Sequence, residues 1–257
     1  MNIGRIFVIA SNVFREVIRD RVLYLIGLFA LFLVACFRLL PEVAAATEDK
    51  IILDIGLAAM HLLGLVVAVF VGTGLVNKEI EKRTVLGLMA KPISRTEFIV
   101  GKHLGLTAVL AVLVAAMMAI FIALLTFNRV AYPLSSLLIS SLFLWLQLSL
   151  MAAIAIVFGV FTGSLLATLL TFMIFLMGSF SANLVTLGAQ SKDAAITAVT
   201  RNLYLVLPDL SRLDLKNQAV YGLLPPMNTL LLNAGYGVLY IVLLLAIASL
   251  LFSRREF

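Results

Sequence analysis

Apolar positions in this chain gather into blocks of about 20 residues, the length needed to cross the roughly 30 Å hydrocarbon core of a bilayer. They fall at about residues 22–40, 55–76, 104–127, 134–158, 165–187 and 230–252. The fourth and fifth blocks lie in one uncharged stretch between Arg129 and Lys192, too long for a single crossing. Its weakly polar run Gly159-Val160-Phe161-Thr162-Gly163-Ser164 predicts a tight turn that divides it. Arg38, at the end of the first block, can snorkel to the interface. Pro225-Pro226 halts a helix, so residues 219–224 predict a separate short element before the last block. The pattern predicts an all-α membrane protein, with one six-helix transmembrane domain over residues 22–257.

Residues 1–21 show a different period. Ile3, Ile6, Phe7, Ala10, Phe14, Val17 and Ile18 recur at helical spacing, with Arg5, Asn12, Arg15, Glu16 and Arg19 on the other face. A basic amphipathic helix before a span predicts an element lying in the membrane interface. Two roles stay open for it, a plain anchor or a docking surface for a partner.

Composition agrees. Hydrophobic residues are 63% of the 257 positions and charged ones 12%, about half the usual charge of soluble domains. This excludes a soluble enzyme. The net charge of +6 is placed as the positive-inside rule asks. With both termini cytoplasmic, twelve basic residues fall inside and seven outside, against six and seven acidic ones. Ala44-Ala45-Ala46 offers a signal-peptidase site, but the preceding run starts at residue 22 and exceeds an ordinary h-region, so a retained span is expected.

The loop after the second block carries the most information. Residues 79–90 read as a short helix with Glu79 and Arg83 at i,i+4 spacing, Pro92 stops it, and Ser94-x-x-Glu97 is a capping box that starts the next helix. Val85, Leu86, Leu88 and Met89 mix with charges of both signs, a composition suited to gripping another protein.

This segment, EIEKRT…L..KPISR.EF..GK, resembles the permeases of ABC transporters of the second exporter class, in the branch with nitrous-oxide-reductase maturation and gliding-motility permeases. The stretch LPDLSRLDLKNQAVYG at residues 207–222 is similar to the same branch. The resemblance implies that Glu79, Glu81, Arg83 and Thr84 open a cytoplasmic coupling helix seated in a separate ATPase. Pro92, Ser94, Arg95, Gly101 and Lys102 match the motif returning to the membrane. Where many members have glycine before the threonine, this chain has Arg83. The N-terminal helix matches an interface helix that also touches the ATPase, which makes Arg5 and Arg15 candidates for that contact. Spans 2 and 5 of two permease copies are implied to face each other, so Thr73, Thr168, Thr171 and Ser179 are candidate lining residues. The competing reading of these hydroxyls is helix-to-helix and helix-to-backbone bonding.

The expected partners are two ATPase subunits, a second permease copy and membrane lipid, in an inner (cytoplasmic) membrane, with no nucleic acid. A P-loop needs Gly-x-x-x-x-Gly-Lys-[Ser/Thr]. Around Gly101-Lys102 the first glycine is replaced by Thr96 and the hydroxyl by His103, so ATP and Mg are expected on the partner and no cofactor on this chain. Neither metal nor catalytic residues are expected: His61 and His103 are far apart, and Cys36 is alone. An ion-coupled carrier is disfavoured because the span cores lack ionisable residues other than His61. A membrane scaffold or sensor that recruits a cytosolic protein through the same loop is the alternative function.

Overall fold

The computed structural model describes residues 2–43, 48–81, 94–181, 190 and 194–254. In chain order these form α1 (Ile3–Val17), a π-type turn (Ile18–Val22), α2 (Leu23–Val43), α3 (Glu48–Glu81), α4 (Arg95–Phe127), α5 (Leu134–Phe161), α6 (Ser164–Ser179), α7 (Ala194–Val206), a single 3-10 turn (Leu210–Arg212), α8 (Lys216–Tyr221) and α9 (Met227–Arg254). Four of these, α3, α4, α5 and α9, are long and apolar enough to cross a membrane. α2 and α6, over the first and fifth apolar blocks, are shorter apolar helices. The chain is a multi-pass membrane protein.

The long helices outrun the blocks that predict them. α4 has 33 residues, about 50 Å at 1.5 Å per residue, so its ends reach well beyond the hydrocarbon. α5 is the centre, packing against α3, α4, α6 and α9. Its most apolar window is 83% buried, whereas that of α9 is only 22% buried. Phe121, Leu110, Leu113 and Met117 of α4, with Leu148 and Met151 of α5 and Leu57 and Met60 of α3, are fully enclosed in the main core. α3 and α5 cross where a Cβ on Gly72 would stand 2.8 Å from the Ala155 Cβ and one on Gly159 would stand 2.8 Å from the Thr73 carbonyl. Small residues let backbones approach closely in lipid, where packing rather than water drives helix association.

Several expectations change. The turn in the long uncharged stretch is narrower than residues 159–164: α5 continues through Phe161 and only Thr162 and Gly163 separate it from α6. Gly159, which reads as a turn residue, is a packing residue. α6 ends at Ser179, short of the expected 187, and residues 182–189 lie outside the described ones. A short helix beginning at Glu79 is not what the described residues form. α3 runs unbroken through Glu81, since residues 76–81 hold no glycine or proline to stop it. The remainder of that element, 82–90, lies outside the described residues. The short element before the last span is α8, closed by Gly222 at φ 68°, a left-handed cap that favours glycine.

The N-terminal helix also differs in its face. Ile6, Val13 and Val17 are buried, while Ile3 and Phe7 are 80% and 75% exposed. α1 packs against α4 rather than lying alone. It passes into α2 without leaving helical backbone conformation, through the π-type turn at Ile18–Val22.

Candidate functional site

The residues that begin α4, from Ser94 onward, form a junction that draws in the ends of α1, α3, α5 and α9. Ser94 is extended (φ −75°, ψ 149°) and starts α4 with the predicted capping box. The Glu97 amide donates to Ser94 Oγ at 3.2 Å and the Ser94 amide donates to Glu97 Oε2 at 3.0 Å. Two of the orphan donors of a helix start are thereby satisfied.

Glu97 does more than its spacing predicts. Its Oε1 accepts the Asn2 amide N–H at 2.5 Å, and Arg5 stands 4.0 Å from Oε2. Asn2 is itself the N-cap of α1, its Oδ1 accepting the Gly4 amide at 3.0 Å. One carboxylate therefore serves the N-termini of two helices, where negative charge is favoured. Below this contact Gly101 and Gly105 let α1 approach. A Cβ on Gly101 would stand 2.8 Å from Ile9 Cβ, and one on Gly105 would stand 2.7 Å from the Ala10 carbonyl and from Val13 Cβ.

Two further links close the junction. The Arg95 guanidinium donates to the carbonyls of Phe252, at 3.1 Å, and of Ser253, capping the C-terminal end of α9. Phe98 stacks on Phe252 with ring centroids 5.5 Å apart. Lys102 forms an ion pair with Glu79 at the end of α3 and lies 5.5 Å over the Phe98 ring. Nearby, Asn77 Nδ2 donates to the Thr162 carbonyl at 2.7 Å, tying α3 to the α5–α6 break. The ends of α1, α3, α4, α5 and α9 thus meet at one end of the bundle.

The opposite end holds the second motif. Asp209 is 7% exposed and accepts from Ser181 Oγ at 2.9 Å, Ser211 Oγ at 2.6 Å and Arg212 Nε at 3.0 Å. Its own amide donates to Tyr236 OH at 2.8 Å. Burial pushes its carboxyl up, but the hydrogen bonds from Ser211, Arg212 and Ser181 and the Arg212 charge outweigh that and hold it below the ordinary carboxylate range. The segment after α7 is thereby pinned to the end of α6 and to α9. At the same end, Lys50 lies 4.5 Å over the Tyr221 ring.

The candidate residues separate as follows. Glu79, Ser94, Arg95 and Arg5 are brought together with Glu97 and Lys102. Arg15 is exposed on α1. Glu81 ends α3, and Arg83, Thr84 and Pro92 lie outside the described residues. Thr73 and Thr168 meet at 3.1 Å between α3 and α6, both buried. Thr73 also donates to the Val69 carbonyl at 2.9 Å, and Thr171, fully buried, donates to the Ala167 carbonyl at 2.7 Å. Ser179 is half-buried at the end of α6. Three of the four candidate lining hydroxyls are therefore engaged inside one chain. The capping role of Asn2, the Arg95 bond to α9 and the partnership of Glu79 with Lys102 were missing from the sequence reading. Only the first has a local signal, an Asn two residues before a glycine at a helix start.

No curated protein matches the chain. The family model of the ABC-2 family transporter protein matches residues 7–257, nearly its whole length. The match takes in the junction around Glu97 and the pinned segment around Asp209 alike. This chain belongs to the ABC-2 transporter family, as a membrane-spanning permease component of an ABC transporter, a membership that implies an ABC ATPase as its partner.

Proposed function

We propose that this chain is the permease of an ABC exporter in the nitrous-oxide-reductase maturation and gliding-motility branch, working as a dimer with two ATPase subunits. It crosses the inner membrane six times with both termini in the cytosol, and ATP and Mg belong to the ATPase. The permease itself breaks no covalent bond. Residues 82–93 and the exposed side of α1, including Arg15, form the seat for the ATPase, with Glu81, Arg83, Thr84 and Pro92 in or beside it.

One observation carries this reading: the shared carboxylate of Glu97, placed three residues after the capping Ser94. A push on the segment before Ser94 reaches α4 directly, α1 through Asn2, α9 through Arg95 and α3 through Lys102. Closure of an ATPase dimer would move these ends as one body and reset the packing of the spans. Basic residues on the proposed inner side support the orientation.

The test is co-purification of the ATPase with the full chain from mild detergent. Glu79→Lys breaks the ion pair with Lys102 as well as any external contact, so Arg83→Glu is the informative variant. It is expected to abolish association while the permease stays folded in the membrane. Undiminished association of Arg83→Glu would remove the coupling assignment.

A further inference from the structure

At the junction end of the bundle a cavity of about 680 Å³ opens between α2 and α3, within the usual range of about 300–1,000 Å³ for ligand sites. Its wall is apolar, with Leu25 of α2 facing Val66, Val67, Phe70 and Val71 of α3. Its rim is charged, with Glu16, Lys78, Glu79 and Lys102. From Val66 to Lys78 the wall extends twelve residues along α3, about 18 Å at 1.5 Å per residue. That is close to half of the roughly 30 Å hydrocarbon thickness, the depth of one leaflet. The apolar wall thus spans acyl-chain depth and the charged rim falls at headgroup level.

We propose that this cleft seats one phospholipid of the adjoining leaflet, with a small zwitterionic head of the phosphoethanolamine type. Gly74 keeps the upper cleft open. A Cβ there would meet nothing nearer than Lys78 Cε at 3.5 Å, whereas Gly72, two residues earlier, is closed against Ala155. On the rim, Lys102 and Glu79 pair with each other. Glu16 and Lys78 remain, of opposite sign and with no ion pair among the described residues. Lys78 suits the phosphate and Glu16 the primary ammonium, each through charge-assisted hydrogen bonds. A choline head has no N–H to give to Glu16. An anionic glycerol head offers it no cation. The geometry therefore selects among lipids and does not merely collect them. The inference rests on the membrane location of the chain and is independent of the ATPase reading.

The test is native mass spectrometry of the full chain released from membranes containing equal phosphatidylethanolamine, phosphatidylglycerol and phosphatidylcholine. One phosphatidylethanolamine per protomer is expected to survive release, preferred by about tenfold over the other two. Gly74→Phe fills the cleft and is expected to lose that lipid, while Gly74→Ala and the lipid-facing control Leu239→Phe keep it. Glu16→Gln is expected to erase the preference over phosphatidylcholine without changing the number retained. Should Gly74→Phe fail to elute as a single folded species, Glu16→Gln and Lys78→Gln decide the matter alone. A folded Gly74→Phe protein that holds the same lipid overturns the proposal, as does strongest retention of phosphatidylglycerol or a headgroup preference unmoved by Glu16→Gln. ATPase association, read on the same preparations, reports separately on the transporter assignment.

Discussion

Glu97 and Asn2 meet at 2.5 Å across 95 positions of sequence, carboxylate to backbone amide. The same carboxylate closes the capping box of its own helix. Glu97→Ala is therefore expected to loosen two helix starts together. Backbone amides at residues 2–6 and 95–98 are predicted to exchange hydrogen faster in the variant, by about an order of magnitude. Acceleration confined to α4 would show that the contact with Asn2 does not hold α1.

The approach of α1 to α4 depends on a missing side chain at Gly105. Its Cβ would stand 2.7 Å from the Ala10 carbonyl, a backbone atom that cannot step aside. Gly105→Val is expected to cost about 1–3 kcal/mol through overpacking. Gly235→Ala, whose Cβ meets nothing within 4 Å, is expected to stay within about 0.5 kcal/mol of the native protein. Thermal unfolding of both variants in nanodiscs measures the difference, and equal midpoints would refute the close packing.

Asp209 makes the other end of the bundle sensitive to acid. A carboxylate held below its ordinary range favours the fold while it is charged. That contribution is complete above the unfolded-state value of about 4 and is lost as pH falls through the lower native value. Asp209→Asn is expected to reduce thermal stability by a constant amount between about pH 5 and 8. The gap to the native protein then closes in stronger acid. A gap that widened below about pH 4 would contradict the network of Ser181, Ser211 and Arg212.

The Thr73–Thr168 contact separates packing from transport. Each hydroxyl already bonds its own helix, Thr73 to Val69 and Thr168 to Ser164, so their mutual bond adds only a part. A double-mutant cycle with Thr73→Val and Thr168→Val is expected to give a coupling of about 0.6 kcal/mol, typical of polar pairs between membrane helices. If the two hydroxyls instead line a path, transport by the assembled complex changes while the coupling stays near zero.

Features specified by neighbours in sequence were legible; those specified by distant partners were not. Ser94-x-x-Glu97 announces a helix start at three-residue spacing, and Pro225-Pro226 marks the start of α9, whose Thr229 and Leu230 amides donate to the Pro226 carbonyl. The apolar blocks coincide with helices among the described residues, four of them long and apolar enough to cross a membrane and two shorter, because hydrocarbon leaves backbone groups no other partner. A glycine in such a block has two meanings, a break or a close approach, and only its partner decides. Gly159 reads as a break yet lies against the Thr73 backbone, and Gly101 reads as part of a motif without revealing α1 as the helix it admits. The amphipathic pattern of α1 located its helix, but its buried edge is set by α4, which leaves Ile3 and Phe7 outward and Val13 inward. Arg95 is a cation at a helix start, where the macrodipole is unfavourable, and nothing nearby hints that the end of α9 lies there to receive it.

The contrast between enclosed α5 and open α9 bears on how such sequences drift. A side chain on α5 is confined by α3, α4, α6, α8 and α9, so a change in volume there calls for a matching change across the contact. Along the outer stripe of α9, Leu232, Leu239 and Leu243 are exposed, and against fluid acyl chains leucine, valine and isoleucine would be near-equivalent there. Descendants of this gene are then expected to exchange aliphatic residues freely along α9, while substitutions on α5 arise as compensating pairs with α3 and α4.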